Sequence, residues 1–350
     1  MSRAKSLALF VAQTPFQLFV VHELAARPNY ADHEKVLLTD VMSAECGLNV
    51  GIWDELVHLE PPLAARDLLK RFQDAHRVVR SLLKGRYKRE PTLLVANLEH
   101  PLSNASYAHL RRYPGFQLHV YPEGLANLVP TRWTTKRVIY QAGKWVLTRL
   151  VGAPFIAVGS DLTGSRFAER IYTYAPQLLP APFRDRAVAL SRTAELSPVE
   201  PGVLVLGQDL DRFLPNERAE HELGSLLLFA REHFAGRRLY KPHHHEAPWG
   251  WKLARSLGFE IVESPCPVEL WLRSQPVSHL VSFGSSALVH ARLMYGDRIE
   301  ALAFKPDVLQ AVPGTSPARM KEIMTVFERV GVRVVEGIPG GISYNEAPGG

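Results

Sequence analysis

The sequence predicts an α/β protein built from two successive Rossmann-like domains, and three observations carry that expectation. Short apolar runs alternate with helical patterns along most of the chain, as strands and crossover helices do around parallel sheets. A proline-rich stretch from Ala175 to Pro201, with Pro176, Pro180, Pro182, Pro198 and Pro201, interrupts the alternation once, after which it restarts. The length, 350 residues, suits about two domains at roughly 150 residues each.

The expected N-terminal domain is 1–180. Its strands are Leu7 to Ala12, Val36 to Thr39, Leu93 to Asn97, Phe116 to Tyr121 and Phe155 to Val158, each a short run of apolar residues. Helical spacing falls between them at Phe16 to Ala26, Ala64 to Leu83, Ala105 to Tyr113 and Thr134 to Leu150. Residues 181–201 read as the connection. The C-terminal domain, 202–336, has strands at Val203 to Leu206, Arg238 to Lys241, Phe259 to Val262, Leu280 to Phe283, Ile299 to Phe304 and Val332 to Val335. Its helices are Asn216 to Phe234, Trp249 to Leu257, Ala287 to Tyr295 and Pro317 to Arg329. The Gly- and Pro-rich tail, 337–350, reads as an irregular arm.

A hydrophobic fraction of 46% and a charged fraction of 22% are those of a folded globular protein and exclude disordered and fibrous classes. Cys46 and Cys266 are the only cysteines, too few for a disulfide framework or a cysteine-based zinc site. The apolar run Ser6 to Ala12 is followed by Gln13, Thr14, Pro15 and Gln17, which makes a poor signal-peptide core. A cytoplasmic location is expected. A formal charge of +6 favours anionic partners. No aromatic RNA-binding signature, zinc-finger spacing or dense basic tail accompanies it, so nucleic acid is not the expected partner. Small anionic substrates and a membrane surface are.

Four segments carry candidate chemistry. Glu123 follows the strand Phe116 to Tyr121 and precedes Gly124, beyond the carboxyl end of a strand, where open α/β sheets present ligands. A carboxylate on such a tight Pro-Glu-Gly turn suits a general base, and equally a solvated turn. His243 follows Arg238 to Lys241 in the equivalent position, with Lys241 adding positive charge. The run His243, His244, His245 with Glu246 invites a metal reading, but no second Cys/His cluster completes a tetrahedron, and no metal is expected. Gly284, Ser285 and Ser286 lie between the strand Leu280 to Phe283 and a helix, an arrangement that suits a phosphate or a plain serine N-cap. Glu269 follows Phe259 to Val262 and suits ribose hydroxyls, or the first turn of a helix, where the dipole favours a carboxylate. The Gly-x-Gly-x-x-Gly dinucleotide fingerprint is absent after both Ala12 and Leu206, and Leu288 breaks the Gly-x-Ser-x-Gly pattern of serine hydrolases.

In order and spacing, Tyr121-Pro-Glu-Gly124, Lys241-Pro-His243 and Ser282-Phe-Gly-Ser-Ser286 resemble the motif set of bacterial GT-B sialyltransferases. The nearest likeness is to the capsular α2,8-polysialyltransferase family, with the lipooligosaccharide sialyltransferases as relatives. Gln13-Thr14-Pro15-Phe16-Gln17 also looks like the start of those families. The resemblance implies a GT-B fold, two Rossmann-like domains facing each other across a cleft, and an inverting, metal-independent sialyltransferase. It implies Glu123 as general base, His243 assisting the departing CMP, Ser285 and Ser286 on its phosphate with Gly284 and Lys241 nearby, and Glu269 on the ribose. Gln13, Thr14, Gln17 and Gly124 would lie on the acceptor side. The donor would be CMP-sialic acid or a related CMP-sugar, the acceptor a glycan or glycolipid, and no cofactor is implied. Two departures stand out: Pro122 occupies the first position of the family's acidic pair, and His244 follows His243 where the family has proline. The same residues leave room for a transferase of another CMP-sugar (Kdo, legionaminic or pseudaminic acid), or for a non-catalytic glycan- or nucleotide-binding protein.

Thr134 to Leu150 sets Lys136, Arg137, Lys144 and Arg149 among Val138, Ile139, Trp145, Val146 and Leu150. Such a helix either packs its apolar side and solvates a basic rim or lies on an anionic membrane. The resemblance favours peripheral membrane association, since the acceptors of those families are often lipid-linked.

Overall fold

A computed structural model of the chain describes residues 5–39, 49–59, 68–86, 90–125, 128–129, 134–157, 166–191, 197–243, 245–312 and 315–336. It contains two compact units, one reaching Ser191 and including Pro265–Pro267, the other made of the remainder.

The first unit runs β1 (Ser6–Ala12), α1 (Pro15–Ala25), β2 (His33–Thr39), β3 (Glu55–His58), α2 (Leu68–Leu82), β4 (Thr92–Val95), α3 (Pro101–Leu110), β5 (Gln117–Val120), α4 (Thr135–Leu150), β6 (Arg170–Thr173), α5 (Ala181–Arg184) and β7 (Ala187–Ala189). All seven strands join one parallel sheet in the order β3-β2-β1-β4-β5-β6-β7. From β1 the chain winds outward through β2 and β3, then returns to β4 on the other side, so the winding reverses between β1 and β4. Central β1 is buried on both faces, which is why it reads as an unbroken apolar run rather than an alternating one. Leu9 lies opposite Val36 on one side and Leu93 on the other, within a core that takes in Leu38, Val79, Leu110 and Leu118.

Three strands escape the sequence pattern: β3, β6 and β7. Each has four residues or fewer; β3 alternates half-buried with exposed positions, and the apolar run of β7 is only three residues long inside a proline-bearing stretch. The last of them lies, with α5, inside the stretch 181–201 expected to connect the domains, and it completes the first sheet. Expected helix Ala105 to Tyr113 begins a turn earlier, because Pro101 supplies a ready first helical position after His100.

The strand expected at Phe155 to Val158 is not formed by Phe155 and Ile156, and Val158 lies outside the described residues. Side chains satisfy this backbone instead. Asn104 accepts from Ile156 N at 2.9 Å and donates to Ile156 O at 2.8 Å, while Thr148 Oγ1 accepts from Phe155 N at 3.0 Å. With these groups already paired, no neighbouring strand is needed.

The second unit runs β8 (Glu200–Leu206), α6 (Asn216–His233), β9 (Arg237–Lys241), α7 (Pro248–Ser256), β10 (Glu260–Ile261), α8 (Val268–Ser274), β11 (Val277–Ser282), α9 (Ser286–Tyr295), β12 (Glu300–Phe304), α10 (Pro317–Val330) and β13 (Arg333–Val335). Its sheet is parallel too, ordered β10-β9-β8-β11-β12-β13, and it reverses between β8 and β11. Val203, Leu227, Tyr240, Phe283 and Phe304 belong to its own core. The expected helices and strands all appear, with shifted ends, and α8 is additional. Two Rossmann-like units in succession are the components of a GT-B fold. The expected tail, 337–350, lies outside the described residues.

Candidate functional site

The first unit gathers polar groups at the carboxyl ends of β1, β4 and β5, the three strands at and beside its reversal, where doubly wound sheets bind ligands. Thr14 caps α1, its hydroxyl accepting from Gln17 N at 3.1 Å, and Pro15 occupies the first helical position. This fixes Gln17, 1% exposed, with its Oε1 accepting from Gln13 N at 2.8 Å and its Nε2 donating to Glu123 Oε1 at 3.2 Å. Gln13 itself donates to Ser103 Oγ at 3.3 Å. Just past β4, Asn97 Oδ1 accepts from the backbone N–H groups of Glu99 and His100, each at 3.1 Å. That turn aims Asn97 Nδ2 at both oxygens of Glu123, 2.6 Å from each. Glu123 is thus held by two amide side chains from two other strand ends. Gly124 follows at φ 118°, a backbone setting that favours glycine. Beneath, the Tyr121 hydroxyl donates to Val11 O.

Burial is the main influence on the Glu123 carboxyl and pushes it up to about 7. The bonds from Asn97 and Gln17 pull the other way, and the charge of Glu99 adds to the rise. The half-buried Glu123 therefore takes up and releases a proton near neutrality. Nearby His100 is pushed down to about 3 by burial and by the charges of Arg71 and Lys144, so it is neutral.

The structure brings together Gln13, Thr14, Gln17, Glu123 and Gly124, all five candidates from the sequence on this side. Asn97 is an addition, since in the sequence it reads as the polar end of a strand. The available signal was its place after β4, but only the strand order shows that β4 lies between β1 and β5.

In the second unit the candidates follow β9 and β11, the strands on either side of β8. His243 follows β9 in a closed loop. Glu246 N donates to His243 O at 2.9 Å, and Glu246 Oε2 accepts from His243 N at 3.0 Å. The Tyr240 hydroxyl donates to Glu246 Oε1 at 2.6 Å. A β-carbon on either Gly207 or Gly250 would overlap the Glu246 carboxylate, so two glycines make room for it. Burial pushes Glu246 up to about 7, against its bonds from Tyr240 and His243, with Asp211 and Asp209 adding to the rise. Glu246 clamps the histidine loop, and no group of three or more His, Cys, Asp and Glu side chains among the described residues is placed to hold a metal ion. Within the loop, His243 Nδ1 accepts from His245 N at 3.3 Å. Lys241 Nζ donates to Ser264 O.

Ser285 caps α9, its hydroxyl accepting from Ala287 N at 3.3 Å, and Ser286 is the first helical residue. Both are half-buried. Gly284 lets Leu309 pack where a β-carbon would stand. At the reversal of this sheet, Gln208 Nε2 donates to Ser282 Oγ at 3.4 Å, and its Oε1 is buried without a hydrogen-bond partner among the described residues. Gln208 is a ligand candidate that the sequence did not single out.

Glu269 stands apart from the other candidates. It lies in the first turn of α8, one of the two readings open from the sequence, and is 4% exposed. Its Oε1 pairs with His290 Nδ1 at 2.8 Å, and its backbone carbonyl accepts from the Tyr295 hydroxyl. A ribose contact from Glu269 would have to use its other oxygen.

No protein-family model matches the chain, and no curated protein matches its sequence. Among solved structures, a UDP-glucosyltransferase from Polygonum tinctorium shares 11% identity over 94% of each chain, with a TM-score of 0.44. A UDP-N-acetylglucosamine 2-epimerase from Rickettsia bellii shares 9% identity over 86% of this chain and 79% of its own, at 0.44. An O-GlcNAc transferase mutant from Thermobaculum terrenum shares 11% identity over 93% of this chain at 0.37, and this chain spans only 60% of its length. These likenesses decide neither activity nor donor.

Proposed function

We propose that the chain is an inverting GT-B glycosyltransferase that moves sialic acid or a related nonulosonic acid from a CMP-activated donor to a hydroxyl of a glycan or glycolipid. The observation that carries this reading is Glu123: a half-buried carboxylate beyond the end of a parallel strand, held by Asn97 and Gln17 and titrating near 7. A base of that kind matches a hydroxyl acceptor at physiological pH.

In the proposed reaction Glu123 accepts the acceptor's hydroxyl proton as the oxygen bonds to the donor's anomeric carbon. The bond from that carbon to the CMP phosphate oxygen breaks, and its electron pair leaves with the phosphate. His243 assists that departure, while the α9 N-terminus with Ser285 and Ser286 binds the phosphate through backbone N–H and hydroxyl groups. Gly284 and Lys241 flank it, and Glu269 contacts the ribose through its oxygen not held by His290. Gln208, whose buried Oε1 has no hydrogen-bond partner among the described residues, is a further donor-side contact. A net charge of +6 supports an anionic donor.

Purified protein should release CMP from CMP-sialic acid and, given a suitable glycan, form a product. Glu123→Gln should lower turnover by about 10² to 10⁴ and leave CMP affinity unchanged in calorimetry. Full activity in that variant would sink the base assignment. Turnover on CMP-Kdo, CMP-legionaminic or CMP-pseudaminic acid alone would keep the mechanism and change the donor. CMP binding without turnover on any of them would make the chain a binding protein.

A further inference from the structure

Helix α4 is turned inside out for a protein in water. Gln141, Lys144 and Thr148, spaced three and four apart, are buried at 4%, 9% and 0% exposure. Ile139, Val146 and Leu150 lie on the opposite side and are exposed, Ile139 at 67% and Leu150 at 78%, with Val138, Tyr140, Trp145 and Leu147 beside them. The packed helix with a solvated basic rim, one of the two expectations from its sequence, is therefore not what forms. Among the described residues, most of the exposed large apolar side chains belong to this one helix. Isolated exposed apolar residues need no explanation, but a contiguous stripe marks a binding surface.

The buried polar side is anchored through Glu99. Glu99 Oε1 accepts from Arg137 and Gln141, each at 2.8 Å, and Glu99 O accepts from Lys144 Nζ at 3.4 Å. Lys144 Nζ also lies over the rings of Phe155 and Phe72, at 4.1 and 4.9 Å. The helix is anchored by its hydrophilic face, so its apolar face has no place in the core of the first unit.

Charge identifies what covers that face. Helix α4 has no acidic residue, and its exposed basic side chains are Lys136 and Arg149, Arg137 and Lys144 being engaged by Glu99 on the inner side. Its C-terminal end borders a cavity of about 740 Å³ lined by Arg80, Arg111, Arg112, Arg149, His109 and Trp145 among others, with no carboxylate in the lining. The Arg149 guanidinium lies 4.2 Å from the Trp145 ring centroid. An apolar stripe beside a cluster of arginines matches a lipid surface, with acyl chains against the stripe and anionic headgroups at the arginines. A second copy of the chain would instead set like charges against each other around the stripe. No helix of the described residues is long and apolar enough to cross a membrane, and a helix lying in the interface needs no such length.

We infer that α4 and the arginine-lined cavity at its end form a docking surface for an anionic phospholipid bilayer, with a headgroup phosphate seated among Arg80, Arg111, Arg112 and Arg149. The test is cosedimentation with phosphatidylcholine vesicles with and without phosphatidylglycerol. Wild-type protein binds the phosphatidylglycerol vesicles and releases as salt rises. The pair Ile139→Glu and Leu150→Glu lowers that affinity more than about tenfold, and Arg111→Ala with Arg149→Ala does so by about tenfold while reducing the salt dependence. All four side chains are exposed, and unchanged thermal unfolding shows that the variants fold. Wild-type protein that ignores phosphatidylglycerol vesicles at low salt overturns the inference, as does a stripe variant that binds like wild type. A lipid-free dimer that the stripe variant converts to monomer, with vesicle binding equal in both, assigns the stripe to a second copy and also overturns it. CMP release measured without vesicles bears on the proposed activity alone, so the two can fail separately.

Discussion

Glu123 owes its reactivity to neutral neighbours. Asn97 and Gln17 hold its oxygens without supplying a positive charge, so burial wins and the carboxyl rises to about 7. A base must be ionised to act, so kcat/KM should climb as pH rises through about 7 and flatten above it, read in a pH–rate profile. In Asn97→Asp a second carboxylate would stand where the amide now donates, and the rising limb should move up by roughly a unit or more; an unmoved limb would detach it from Glu123. The sign for stability follows from the same rise. What the buried carboxyl contributes to folding is fully present below the ordinary carboxylate range and is lost as pH passes upward through about 7. Glu123 was legible because a carboxylate after a strand and before glycine is placed by local rules. Asn97 was not, because its partner lies across the sheet. Glu246 was visible only as the neighbour of three histidines; its role depends on the space left by Gly207 and Gly250.

Among the elements, α3 is tied to two backbone segments beside it through Asn104. Asn104, 0% exposed, donates to Leu98 O and Ile156 O at 2.8 Å each and accepts from Ile156 N at 2.9 Å. Asn104→Ala removes all three bonds and leaves buried backbone groups unpaired. The loss should be roughly 2–4 kcal/mol, seen as a fall in the midpoint of thermal unfolding, with an unchanged midpoint arguing that water replaces the amide. This asparagine also explains why apolar Phe155 and Ile156 do not make a strand: an apolar pair announces contact with the core, not which groups will meet its backbone. The long central strands were legible because burial on both faces leaves an unbroken apolar signature. The short β3, β6 and β7 were not, since neighbouring strands place them more than their own side chains do. Helix α4 shows the same limit in reverse: its amphipathic pattern was plain, but which side faces inward is set by Glu99.

For the molecule as a whole, every strand among the described residues finds its partners within its own sheet, and residues 203–335 supply the second core described above. A fragment spanning 197–336 should therefore unfold cooperatively in circular dichroism and bind CMP in calorimetry. A fragment that folds without binding CMP would move the nucleotide away from this unit. Two domains were legible from the restart of the strand and helix pattern, but their division was not, because prolines also sit within α5 and ahead of it, before the last strand of the first sheet.

Glu99 joins two parts of the first unit that the sequence keeps separate. Its side chain anchors α4, and its charge is one reason the Glu123 carboxyl holds its proton so long. An anionic bilayer adds to this from outside, because a surface at about −30 mV concentrates protons about threefold over bulk solution, an effect that fades within a Debye length. On such a surface Glu123 would meet a more acidic solution than a pH electrode reads, and the bulk pH of half-maximal activity would rise by up to about half a unit.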